Sequence, residues 1–203
     1  MELVIASQNP AKVRELRTFL QELLPDAYIR SLIEFPDIPL PQGGGVTFEE
    51  NAVAKATWAT KRLQKPCVCD ESGLVVPYLG GISESLRRKR DQPENMKLPD
   101  TKRLLDDLKG VDEFNRAAFL ECVLVFAMPS LGVVKVVSAR MEGSINAKEE
   151  GASSFDFSSV FVKDGYAKPL AALSSSVQAR ISHRRKACEK LCATIQKTIV
   201  SPA

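Results

Sequence analysis

The stretch Pro66-Cys67-Val68-Cys69-Asp70-Glu71-Ser72-Gly73-Leu74 constrains this chain more than any other. Behind the proline, Cys67 to Cys69 is a short apolar run that reads as the inner end of a buried strand. The run stops on two adjacent carboxylates, a hydroxyl and a glycine. Adjacent acids repel each other and gain nothing from an apolar core, so packing does not account for them. At a strand's carboxyl end, Asp70 and Glu71 are oxygen donors suited to a hard cation such as Mg²⁺. An acidic turn accounts for the same residues without a ligand, since Asp, Ser and Gly are common turn formers. The neighbouring segments have to decide.

With 203 residues the chain is long enough for one domain with a substantial core, or one domain of two lobes. Its 28 basic and 25 acidic residues leave +3, too little to argue for a nucleic-acid or membrane partner. No apolar run approaches the roughly 20 residues of a transmembrane helix. Met1 to Ile5 lacks the basic start and long apolar segment of a secretory signal. The five cysteines show no Cys-x-x-Cys spacing and His183 is the single histidine, which disfavours zinc and disulfides. A cytoplasmic protein with reduced thiols is expected.

Taken in order, Leu3 to Ala6 reads as a strand, followed by a helix from Pro10 to about Leu24 with Val13, Leu16, Leu20 and Leu23 as its stripe. Asn9 is placed to cap it and Pro10 suits its first position. Lys12 opposes the helix dipole, which leaves two readings: a solvated lysine, or an anion held by free amides and Lys12 together. Ala27 to Ile33 is a second strand and Pro36 to Gly45 a loop. Thr47-Phe48-Glu49-Glu50 has capping-box spacing, with Glu50 reaching back, and starts a helix to about Leu63 on which Asn51 and Lys55 share a face. Arg87-Arg88-Lys89-Arg90 reads as a solvated loop or an oligomer rim, ahead of a phosphate-facing role, because no aromatics are interleaved for nucleic-acid stacking. Pro99 to Lys109 is a short helix closed by Gly110, and Ala117 to Ala127 is the strongest strand signal. Pro129 to Gly132 turns it back into Val133 to Ala139. Early alternation and a later hairpin together predict an α/β fold with a mixed sheet. Phe155 and Phe157 flank a polar residue and suit either base stacking or a strand start. The last helix begins near Ser182, where Arg180, His183, Arg184, Arg185 and Lys186 crowd a helix start that disfavours cations. An anion among them explains the crowding, and Arg184→Ala is expected to raise stability slightly.

These pieces resemble the inosine triphosphate pyrophosphatase family, nearly end to end. Ser7-Gln8-Asn9-Pro10-Ala11-Lys12 is similar to its first phosphate loop. Thr47 to Ala52 with Lys55 is similar to its acidic helix start, Asp70 to Leu74 to its metal-binding turn, and Ser182-His183-Arg184 to its Ser-His-Arg signature. The resemblance implies an elongated two-lobed α/β fold over residues 1–203 and a homodimer. It also implies Mg²⁺-dependent cleavage of purine nucleoside triphosphates of the inosine, deoxyinosine and xanthosine type, giving the monophosphate and pyrophosphate. Implied roles follow. Glu50, Glu71 and Asp70 hold Mg²⁺, with Glu71 and Asp70 catalytic. Ser7, Gln8, Asn9, Lys12, Lys55, Ser72, His183 and Arg184 bind the triphosphate, and Phe155, Phe157, Ser158 and Gln178 the base.

The departures fall mainly on the base side. Glu71 stands where the family has an aspartate. Asp156 and Ser158 replace a glycine and an aspartate of the base loop, and Gln178 replaces a lysine. Ile82-Ser83-Glu84 stands in place of a Gly-Pro-Gly-like run. A relative that binds nucleotide with little hydrolysis and relaxed base choice, or a dimeric interaction module, remain alternatives.

Overall fold

The computed structural model describes residues 2–38, 44–81, 101–152 and 157–200. Its elements are β1 (Glu2–Ile5), α1 (Pro10–Leu23), β2 (Tyr28–Ser31), α2 (Phe48–Leu63) and β3 (Cys67–Val75). They continue with α3 (Thr101–Asp107), β4 (Ala117–Met128), β5 (Gly132–Ile145), β6 (Phe161–Lys163), α4 (Ser175–Ile181) and α5 (His183–Val200). The expectations placed on Ile82 to Glu84, Arg87 to Arg90, Pro99, Phe155 and Asp156 lie outside the described residues, as do residues 39–43 of the loop before Val46.

One six-stranded sheet runs in the order β2-β1-β3-β4-β5-β6. β1 pairs parallel with both β2 and β3, with Val4 opposite Arg30 and Cys67, whereas β5 and β6 pair antiparallel. The sheet is therefore mixed, and the α/β expectation holds. Leu3, Val4 and Ile5 are fully buried, as a central parallel strand covered on both faces requires. The order β2-β1-β3 sends the α1 crossover one way from β1 and the α2 crossover the other way. Since parallel crossovers are right-handed, α1 and α2 lie on opposite faces of the sheet. That arrangement makes the β1/β3 boundary a topological switch point, where α/β sheets place their ligands.

The chain divides into two compact units. The first holds Met1–Ser72, Cys122–Ala139 and His183–Ala203. In it α1 packs on α5, with Val13, Leu16, Phe19 and Leu20 buried on the one and Ala187, Cys188, Leu191, Cys192 and Ile195 on the other. The second unit is Gly73–Glu121 and Arg140–Ser182, cored by residues such as Leu104, Leu108, Leu120, Met141, Val160 and Phe161. Among the described residues no helix is long and apolar enough to cross a membrane.

Three local expectations need correction. β3 does not end at Cys69: it runs through Asp70-Glu71-Ser72-Gly73 to Val75, all but Gly73 buried. Those four residues carry turn chemistry, but pairing on the sheet overrides it. β2 stops at Ser31 because Glu34 Oε1 accepts from the Ser31 N–H at 2.9 Å and folds Leu32–Glu34 into a 3₁₀ turn. α4, behind Ser174, is a helix that the apolar pattern did not announce.

Candidate active site

The amino terminus of α1 forms as its sequence requires, but its amides are occupied. Asn9 Oδ1 accepts from the Ala11 and Lys12 N–H groups at 3.0 and 3.2 Å, and Pro10 has none to offer. The expectation of free amides at this helix start is therefore corrected. What remains for an anion is the Lys12 side chain. Ser7 is buried and its Oγ accepts from the Asn9 N–H at 3.2 Å, while Gln8 is exposed and donates to the Ile38 carbonyl at 3.3 Å.

Because β3 continues through its acids, successive side chains point to opposite faces. Asp70 and Ser72 face the side of α1 and α5, and Glu71 faces α2. The partners agree. Asp70 Oδ2 pairs with Lys12 Nζ at 2.9 Å and accepts from Ser72 Oγ at 3.2 Å, whereas Glu71 pairs with Lys55 Nζ. The expected single carboxylate pair is thus two separate sites, one on each face. Burial works against a charged Lys55, yet Glu71 in contact, with Cys69 and Asp70 nearby, holds its pKa above the ordinary lysine range.

Crowding at the start of α5 is answered largely from within the chain. Arg184 is buried, and its fork donates to Glu15 Oε2 at 2.7 Å and Ser72 Oγ at 2.9 Å, with Nε 3.7 Å from Asp70. Arg185 pairs with Glu22 and Glu189 at 3.0 and 3.2 Å. Arg180 and Lys186 are exposed. His183 differs: it is 3% exposed, and neither ring nitrogen has a hydrogen-bond partner among the described residues. Burial first, then Arg184, pushes its pKa well below the ordinary histidine range, against the pull of Asp70. The ring is neutral, with a donor and an acceptor to offer.

Glu50 is exposed, and its Oε2 accepts from the Val46 N–H at 2.7 Å rather than from Thr47, so the capping box is half formed. Thr47 Oγ1 does cap, accepting from the Glu50 N–H at 3.0 Å. Asn51 braces the entering loop through both its amide atoms on Gly45. Among the described residues no three His, Cys, Asp or Glu side chains converge to hold a metal. The donor chemistry still suits Mg²⁺, which usually takes one or two carboxylates and completes its shell with water and substrate phosphates.

Phe157, Ser158 and Gln178 belong to the second unit. Phe157 sits in the left-handed region at φ 62°, Ser158 is buried with its carbonyl accepting from Ala171 N–H at 2.9 Å, and Gln178 Nε2 donates to the Leu173 carbonyl at 2.9 Å. Two residues of the site escaped the sequence reading. Glu15 carried a signal, since it lies three residues after Lys12 and so shares its face of α1. Cys122 carried none. Its buried thiol, kept protonated by burial and by Asp70, lies 3.4 Å from Asp70 Oδ1.

Lysines set against strand carboxylates at a parallel switch point, with a buried His-Arg pair at a helix start, are the features of an α/β protein with an anion-binding site. The Ham1 family profile matches residues 3–194, and the chain belongs to that family. More particularly, it is 36% identical over 197 residues to the dITP/XTP pyrophosphatase of Protochlamydia amoebophila, covering 97% of this chain and 98% of the relative. It is 35% identical to the dITP/XTP pyrophosphatase of Bacillus licheniformis, with the same coverage. Among solved structures it is similar to the Staphylococcus aureus Ham1 protein, with a TM-score of 0.81 and 31% identity over 97% of this chain and 99% of the other.

Proposed function

We propose that the chain hydrolyses purine nucleoside triphosphates of the inosine, deoxyinosine and xanthosine type to the monophosphate and pyrophosphate, with Mg²⁺. The reading is carried by the pairing of every site carboxylate on β3 with a cation: Lys12 and Arg184 at Asp70, Lys55 at Glu71. Such pairs hold the cations in place until phosphates arrive. The names of the relatives supply the substrate class.

In this reading Lys12, Lys55 and Arg184 bind the triphosphate and oppose the charge that builds on it as the bond between the α- and β-phosphates breaks. Neutral His183 offers hydrogen bonds at the same end of α5. Glu71, with Lys55 drawn onto phosphate, orients the attacking water and accepts its proton. Glu71 and Glu50 would hold Mg²⁺, which when bound would offset phosphate charge and help align the triphosphate. Asp70 anchors Lys12 and Arg184 instead of sharing the ion. Ser7, Gln8, Asn9 and Ser72 frame the phosphate side, and Phe155, Phe157, Ser158 and Gln178 the base side. The two-lobed domain, the homodimer and the cytoplasmic location belong to the same proposal and rest on the family resemblance.

A panel of nucleoside triphosphates assayed for pyrophosphate release with and without Mg²⁺ tests it. Glu71→Gln is expected to abolish turnover with the fold intact by circular dichroism. Unchanged release in that variant removes Glu71 from the chemistry.

A further inference from the structure

Asp70 divides the work of its two oxygens. Oδ2 faces Lys12, Ser72 and Arg184, while Oδ1 faces the thiol of Cys122. The two oxygens are chemically alike, and rotation about the last side-chain bond of an aspartate is soft and roughly two-fold. Something has to choose which oxygen meets the cations and at what tilt. β3 lies between β1, which leads into α1 and Lys12, and β4, which carries Cys122. Side chains on one face of neighbouring strands meet, so Asp70 is gripped from both sides.

We propose that Cys122 is a positioning residue, whose thiol donates to Asp70 Oδ1 and so fixes the orientation in which Oδ2 holds Lys12 and Arg184 for the substrate's phosphates. The inference rests on the reading of those two cations as phosphate ligands. A thiol suits the place: it is apolar enough for a fully buried strand position and still supplies a weak donor. A carboxylate acceptor strengthens that weak donor. Ala and Val both leave Oδ1 without this partner, and Val adds the bulk of a methyl group besides. Ser would donate more strongly from a shorter side chain.

The test groups variants by donation rather than by size. Cys122→Ala and Cys122→Val are expected to lower kcat/KM for inosine triphosphate about tenfold, the smaller effect typical of residues that orient an active-site ligand. Cys122→Ser is expected to recover most of the rate. A packing role gives Ser no advantage over Ala, because the two side chains are nearly equal in size and both smaller than Cys. A second measurement does not depend on turnover. The infrared S–H stretch of Cys122, isolated as the difference between parent and Cys122→Ala, should lie at the low frequency of a bonded thiol and rise in Asp70→Asn. A parental rate in Cys122→Val, a Ser variant no better than Ala, or an S–H band indifferent to Asp70→Asn overturns the proposal. A parental rate in Asp70→Asn instead overturns the reading of the site on which it rests.

Discussion

At the scale of single residues, Arg184 and His183 show how burial reverses an expectation drawn from helix position. A cation in a first turn opposes the dipole, so deleting Arg184 was expected to stabilise. Its guanidinium is instead buried between Glu15, Ser72 and Asp70. Removing it takes from buried Asp70 one of two cations, Lys12 being the other, and takes a charged donor from Glu15 and Ser72. Arg184→Ala should therefore cost about 3 kcal/mol in urea unfolding and weaken nucleotide binding as well. His183 gives a pH signature. Its folded pKa lies well below its ordinary value of 6.5, so the unfolded chain takes up the proton first. Stability is complete above about pH 6.5 and falls as the pH drops below it, by up to about 1.4 kcal/mol per pH unit from this group. His183→Asn should flatten that acid-side slope when melting temperature is followed from pH 7 downward. An equal slope in parent and variant assigns the acid sensitivity to other groups.

At the scale of elements, the ends of helices and the close approach of strands carry the sharpest expectations. Thr47 caps α2, and its replacement by Ala should cost about 1 kcal/mol, a loss read as a lower urea midpoint at unchanged slope. Gly143 opposes Lys163 across β5 and β6. A methyl group there would lie 2.2 Å from the Val162 carbonyl oxygen and 2.7 Å from Phe161 Cζ. Backbone cannot yield as a side chain does, so Gly143→Ala should cost about 2 kcal/mol and raise amide exchange along β6 first. Such costs were legible only in part beforehand. The Thr47 cap was visible because capping is a contact between neighbours in sequence. The crowding at Gly143 was not, because Val162 lies outside its local segment.

At the scale of the whole molecule, the residues proposed for the phosphates and those proposed for the base belong to different compact units. Lys12, Lys55, Glu71 and Arg184, proposed to act on phosphate, belong to the first unit, and Ser158 and Gln178 to the second. A base's exocyclic oxygen and ring N–H ask for a matched donor and acceptor, and charge-assisted partners are about twice as strong as neutral ones. The parent should therefore separate inosine from adenosine triphosphate poorly. Gln178→Lys with Ser158→Asp should restore part of the discrimination, on the order of 1–3 kcal/mol per charged contact, and each single change less. The ratio of kcat/KM values for both nucleotides in the four proteins reads this directly. A parent already as selective as the double variant overturns the account of base recognition.

The chain by itself determined where α1 and α2 begin and which lysines lie near their starts. Asn9-Pro10, Thr47 and the run Ala117 to Ala127 act through neighbours or through periodicity, and each formed as read. The family, too, was legible, because four motifs in order carry information that no fold is needed to extract. Tertiary structure alone decided what the central acids do. Asp-Glu-Ser-Gly has the composition of a turn, and it becomes a strand because β3 runs on past the end of β1, beyond Val68, as the neighbour of β4 in the sheet. Once β3 continues, its period of two sends Asp70 and Glu71 to opposite faces, where the crossovers of α1 and α2 have already placed Lys12 and Lys55. Cys122 reaches Asp70 because β4 is the neighbour of β3 in the sheet. A contact between distant strands depends on register, and register is a property of the assembled sheet rather than of any segment in it.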